Sequence, residues 1–237
     1  MPSIKIMTYN VCWEVFTGKN KHISNMTNII NIINKRIEDN YDFICLQEIS
    51  DVQWNIISQN MVLDNYKIII KKINPAGIII LYNKTYSLVK KYSGNLINTN
   101  LDKRPYLILL FDNIILINIH MPHIKQAQSF DIIQNKLLKI KSFINKNTKF
   151  IICGDFNNTK PLSIDTFYNM LKPFGKKIYH EPKKINTCCV PNDKIYRLSY
   201  DHIFISGGKY LKYKTLPKTE MHLDMSDHIP LFAQIEI

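Results

Sequence analysis

Several apolar runs in this chain end, or begin, on a side chain that can hold a metal, move a proton or grip a phosphate. IKIMTYN closes on Asn10, FICLQE on Glu48, NIILINIH on His120, and FIICGDFN on Asp155 and Asn157. YDHIFI opens with Asp201, and MSDHIPLFAQI sets Asp227 and His228 just ahead of a last apolar run. Gathered on one edge of a rigid scaffold, these groups form a single polar pocket. Mg²⁺ takes hard oxygen ligands, few of them from protein, and completes its octahedron with water and phosphate. Glu48, helped by Asn10 and Asp227, suits that demand. Phosphodiester hydrolysis also needs an oriented water, neutralisation of charge in the transition state and help for the leaving oxygen. Asp155 can align or deprotonate the water, Asn157, His120 and His228 can donate to phosphate oxygens, and Asp201 can orient an imidazole. Taken singly, an Asn or Asp after a strand reads as a turn or a helix cap; the set is what points to chemistry. His202, between apolar neighbours, reads as structural, and His22, His123, His180 and His222 carry no assignment.

The elements that must position these groups are legible from periodicity. Ile23, Met26, Ile30, Ile33 and Ile37 recur at helical spacing, as do Phe130, Ile133, Leu137, Ile140 and Ile144. Shorter helices are expected near Val52–Met61 and Ile164–Leu171. Between them lie β-rich runs: Ile4–Tyr9, Phe43–Leu46, Lys67–Lys71, Gly77–Tyr82, Ser87–Tyr92, Pro105–Phe111, Ile114–Ile119, Phe150–Cys153, His202–Ile205 and Pro230–Ile235. Several are apolar throughout, as strands buried on both faces are. Strands interleaved with a few amphipathic helices suggest two stacked sheets covered by helices; periodicity alone leaves a doubly wound parallel sheet open. No linker or repeat interrupts the pattern, so residues 1–237 read as one domain.

Composition narrows the partners. With 31 Lys+Arg against 19 Asp+Glu, the net charge is +12, which favours nucleic acid, a phosphorylated small molecule or an acidic membrane surface. Arginines are few and Lys, Asn and Ile abundant, so an AT-rich coding sequence accounts for part of the surplus on a competing reading. Of the five cysteines, Cys45 and Cys153 sit in apolar runs and read as reduced core residues. The start, MPSIKIMTYN, lacks the pattern of a secretory signal, and no apolar run approaches the ~18 residues of a membrane span. A cytosolic or nuclear monomer without a membrane span is the expectation.

TYNV, LQEI, GIIILY, KRP, NIHMP, GDFN, YDHIFI and SDHIPL, in this order and approximate spacing, resemble the endonuclease/exonuclease/phosphatase superfamily, from Tyr9 to Leu231. The resemblance implies a four-layer α/β/β/α sandwich of two mixed sheets flanked by helices. It implies metal binding by Asn10, Glu48 and Asp227, catalysis by His120, Asp155, Asn157, Asp201 and His228, and a phosphate contact from Arg104. His120 stands where deoxyribonuclease I, deadenylases and sphingomyelinases have His and abasic endonucleases usually have Tyr. Cys12 stands where abasic endonucleases and tyrosyl-DNA phosphodiesterases carry a second acidic residue. The implied function is a Mg²⁺-dependent phosphodiester hydrolase, with Mn²⁺ able to substitute, acting as a nuclease on DNA or RNA. The alternative is a phosphatase or phosphodiesterase acting on a small molecule or lipid headgroup.

Overall fold

The structure is a computed structural model that describes residues 3–12, 23–96, 104–158, 169–180, 185–188, 198–216 and 226–236. Its strands are β1 (Ser3–Asn10), β2 (Phe43–Ile49), β3 (Tyr66–Lys71), β4 (Gly77–Asn83), β5 (Leu88–Asn95), β6 (Pro105–Phe111), β7 (Ile114–His120), β8 (Lys149–Asp155), β9 (Tyr179–His180), β10 (Asp201–Ser206), β11 (Lys209–Thr215) and β12 (Leu231–Glu236). The helices are α1 (Ile23–Glu38), α2 (Asp51–Gln59) and α3 (Gln126–Leu138). Two six-stranded mixed sheets result, ordered β11-β12-β1-β2-β4-β3 and β5-β6-β7-β8-β10-β9.

Side chains alternate between the two faces of a strand, and the alternation builds three apolar layers. Ile4 and Ile6 of β1, Phe43 and Cys45 of β2, Leu116 of β7, Ile151 and Cys153 of β8 and Ile203 of β10 point inward and form the core between the sheets. Met7, Tyr9, Ile44 and Leu46 point outward from the first sheet and meet Met26, Ile29 and Ile33 of α1 and Ile57 of α2. Ile117, Ile119, Ile152 and Phe204 point outward from the second and meet Phe130, Ile133 and Leu137 of α3. The expected four-layer sandwich is therefore present, and strands buried on both faces explain the continuous apolar runs. α2 begins directly after β2 because Ser50 and Gln53 close a capping box, Ser50 Oγ accepting from Gln53 N and Gln53 Oε1 from Ser50 N.

Two elements escaped the sequence pattern. β11 is an edge strand whose side chains are half-buried or exposed and rich in Lys, so it shows no apolar alternation. β9 is two residues long. The second helical repeat was expected to run on to Ile144, but α3 ends at Leu138 and a 3₁₀ turn follows at Lys141–Phe143. Ile140 N bonds Leu137 O and Ile144 N bonds Lys141 O, a tighter winding that still buries Ile140 in the same core. Most of the expected helix Ile164–Leu171 lies outside the described residues; 169–171 are helical.

Candidate active site

On each central strand the inward-facing positions change from apolar to polar in the last rungs at one end of the sandwich. In β1 the inward series runs Ile4, Ile6, Thr8, Asn10; in β7 it runs Ile114, Leu116, Asn118, His120; in β8, Ile151, Cys153, Asp155. Parallel pairing of β7 with β8 sets His120 beside Asp155, and antiparallel pairing of β8 with β10 sets Asp155 beside Asp201. One rung of the second sheet thus carries an imidazole and two carboxylates side by side. Parallel pairing of β1 with β2 brings Asn10 beside Gln47, next to Glu48, on the facing sheet.

The sheets meet through Asn10. Its Nδ2 donates to Asp155 Oδ2 at 2.9 Å, and its Oδ1 accepts from Cys12 N at 2.9 Å. The other oxygen of Asp155 accepts from Asn157 N at 2.7 Å, from a residue at φ 47°. Burial pushes Asp155 up to about 7 against the pull of His228, with Asp201 and Glu48 adding to the rise. Burial also raises Glu48, opposed by His228, Asn10 and Arg104. Glu48 Oε1 lies 3.3 Å from His120 Nε2 and 3.6 Å from Arg104 Nη1. Arg104 Nη1 donates to His120 Nε2 at 2.6 Å. That bond requires a neutral ring, and burial together with the Arg104 charge holds His120 well below its usual value.

His228 is the opposite case. Burial disfavours its charge, yet Asp201, Asp155 and Asp227 raise it to about 10, so the ring is an imidazolium. Its Nδ1 donates to Asp201 Oδ2 at 2.7 Å, and its Nε2 stands 3.7 Å from Asp155 Oδ2. Asp201 is held in turn by Thr187 Oγ1, which accepts its backbone N–H at 3.1 Å. Ser226 Oγ donates to Asn10 O and accepts from His228 N, tying the Asp227–His228 turn to the end of β1.

The expected site residues are thus gathered, with two refinements. The Asn157 side chain is committed to Met121 O at 2.8 Å, and its backbone N–H is the group that meets Asp155. Asp227 is exposed and stands with Cys188 and His228, outside the tight group of Glu48, His120 and Asp155, whose ligand atoms lie within 4.8 Å of one another. The group around Glu48 and Asp155 fits a hard divalent ion: a half-buried carboxylate from one sheet and a buried one from the other, both pushed toward their neutral forms, face each other. Thr187, Ser226, Gln47, Asn118 and Thr8 were not singled out from sequence. A Thr or Ser in an irregular segment has no periodic signal, but Gln47 and Asn118 lay at inward positions inside quoted motifs.

The sequence from residue 7 to residue 228 matches the model of the Endonuclease/Exonuclease/phosphatase family. No curated protein sequence matches the chain. Among solved structures, truncated Caenorhabditis elegans TDP2 is similar with a TM-score of 0.71 at 18% identity, over 99% of this chain and 98% of that one. The mannosyl-6-phosphatase Bt3783 of Bacteroides thetaiotaomicron is similar with a TM-score of 0.70 at 16% identity, over 99% and 100%. ANGEL2, a 2′,3′-cyclic phosphatase solved with adenosine-2′,3′-vanadate, is similar with a TM-score of 0.71 at 15% identity, over 98% and 95%. With the family match spanning every site residue described, the chain belongs to the endonuclease/exonuclease/phosphatase family of metal-dependent phosphoric ester hydrolases.

Proposed function

We propose that the chain is a Mg²⁺-dependent phosphodiester hydrolase acting on nucleic acid. The observation that carries the hydrolytic assignment is Asp155 fixed by Asn10 and Asn157 beside an imidazolium that Asp201 orients. Asp155 is the base: its raised affinity for a proton suits it to take one from an attacking water near neutral pH. His228 Nε2, 3.7 Å from Asp155 Oδ2, is placed to donate to a non-bridging oxygen of a phosphate bound beside Asp155. Arg104, anchored on His120 and Glu48, offers its guanidinium to the same phosphate. Glu48, beside His120 and Asp155, would hold the cation, and Asn10 and Asp227 would complete its shell from the margins of that group. When bound, the ion neutralises phosphoryl charge and favours departure of the leaving oxygen.

The net charge of +12 supports a polyanionic substrate, and D. rerio TDP2, similar to this chain with a TM-score of 0.67, was solved with a single-stranded DNA product. The likeness to a mannosyl phosphatase and a cyclic phosphatase supports the second reading, a small phosphoester. A cytosolic or nuclear monomer of one domain accompanies the proposal; among the described residues no helix is long and apolar enough to cross a membrane. The test is turnover on a panel of single- and double-stranded DNA, RNA, linear and cyclic dinucleotides, inositol phosphates and a chromogenic phosphodiester, with Mg²⁺, Mn²⁺ and chelator. A polymer substrate gives a log–log salt slope in kcat/KM steeper than about −2, from counterion release. A shallow slope with efficient turnover of a small phosphoester overturns the nucleic-acid reading.

A further inference from the structure

Glu48 occupies an irregular place in its strand. Regular alternation would put Leu46 and Glu48 on one face of β2 and Ile49 on the other. Instead Leu46 and Ile49 both pack against the helices on the outer face of the first sheet. The β2–β4 register explains this: Leu46 faces Ile79, but Ile49 faces Gly77, so β2 has one residue more than β4. The extra residue makes a β-bulge, with Glu48 in it at φ 54°. A bulge of this kind re-aims a side chain, and here it turns Glu48 away from the helix layer and into the site. A non-glycine residue with positive φ persists only where its surroundings hold it.

The restraint comes from the facing sheet. Asn118 Nδ2 donates to Leu46 O at 3.2 Å and to Ile79 O at 3.1 Å, the two carbonyls of the last regular rung before the bulge. Asn118 Oδ1 accepts from Gln47 Nε2 at 2.7 Å, and Gln47 Nε2 also reaches Thr8 Oγ1 at 3.0 Å. All three residues are wholly buried. Each lies one or two positions ahead of a site residue: Gln47 before Glu48, Thr8 before Asn10, Asn118 before His120. An apolar core would have filled this space without the need to satisfy buried amides. An amide that bonds carbonyls on two strands across the sandwich fixes both the bulge and the separation of the sheets.

We propose that Asn118, acting through Gln47 and Thr8, is the positioning residue that locks the β2 bulge and so aims Glu48 at the metal. It rests on the assignment of Glu48 as a metal ligand. The test is Mn²⁺ binding to the full chain, followed by electron paramagnetic resonance without substrate, for wild type, Asn118→Leu, Asn118→Asp, Thr8→Val and Glu48→Gln. Leu137→Ala, in the α3 core, serves as a destabilised control with an intact bulge. Loss of an outer partner of a metal ligand typically weakens affinity roughly 10- to 100-fold. Asn118→Leu and Asn118→Asp should fall in that range, approaching Glu48→Gln, while Leu137→Ala binds as wild type. Thr8→Val, nearly isosteric, should give a smaller loss and decides the matter if both Asn118 variants fail to fold. Wild-type affinity in a folded Asn118 variant, or in Thr8→Val when those do not fold, overturns the proposal. Glu48→Gln with wild-type affinity instead overturns the metal-ligand assignment itself.

Discussion

Asp155 and His228 are neighbours whose environments push them in complementary directions. The carboxyl is raised by burial to about 7, and the imidazole is held protonated by the carboxylates around it. A pair tuned apart in this way marks the base and the positively charged donor of a hydrolytic site. Replacing Asp155 with Asn keeps the size of the side chain, removes the proton acceptor, and sets an NH₂ donor against either Asn10 Nδ2 or Asn157 N. The variant should fold normally and lose on the order of 10²-fold or more in kcat; a folded protein with the wild-type rate would make Asp155 a structural residue. Asp201 is bonded to His228 at 2.7 Å, and in the proposed mechanism it acts only through that ring. Asp201→Asn and His228→Gln should therefore each slow turnover, and the double variant should be little worse than His228→Gln alone. Full additivity in that cycle would mean that Asp201 acts elsewhere.

The site depends at the element scale on the closing rungs of β7, β8 and β10, and Gly154 is what lets them close. At φ 140° it adopts a backbone that side chains rarely take, and a Cβ there would fall 1.9 Å from Ile119 O. The motif glycine is thus needed for β8 to lie against β7 one residue before His120 and Asp155 pair. Gly154→Ala should cost ~2 kcal/mol or more, from backbone strain plus overlap with main chain that cannot yield. Urea denaturation would measure it. A neutral result would show that β7 and β8 can separate without loss.

At the scale of the whole molecule, stability should depend on pH through a histidine pair outside the proposed site. His180 of β9 and His202 of β10 lie 3.2 Å apart, nitrogen to nitrogen, and His202 also meets Asn158 O at 3.3 Å. Burial and the neighbouring ring lower His180 to about 4, and burial lowers His202. Protons therefore bind the unfolded chain more readily than the folded one. The contribution is full above the unfolded histidine value of about 6.5 and is lost as pH falls toward 4. Asp155, Glu48 and His228, whose proton affinities are raised, act in the opposite sense and equally in both proteins, so the pair is read by difference: from pH 7.5 to pH 5 the urea midpoint of wild type should fall relative to that of His180→Phe. The same pH response in both proteins would remove the pair from the acid response.

The sequence alone determined most of the strands, the two main helices, the polar residues at the strand ends and the family, because each of these rests on local pattern. The apolar runs show where each strand ends on Asn10, His120 or Asp155, and a motif keeps its residues whatever surrounds it. β11 was illegible because an exposed edge strand buries too little to need alternation. Charge states, the bulge that aims Glu48 and the amide bridge beneath it were also beyond local reading. Each depends on which group from a distant strand stands opposite: Asp201 beside His228, Arg104 against His120, Asn118 over Leu46 and Ile79. Spacing along a chain specifies which face a side chain takes, whereas burial, proton affinity and bulge geometry are set by what packs against that face, and only the assembled sandwich decides them.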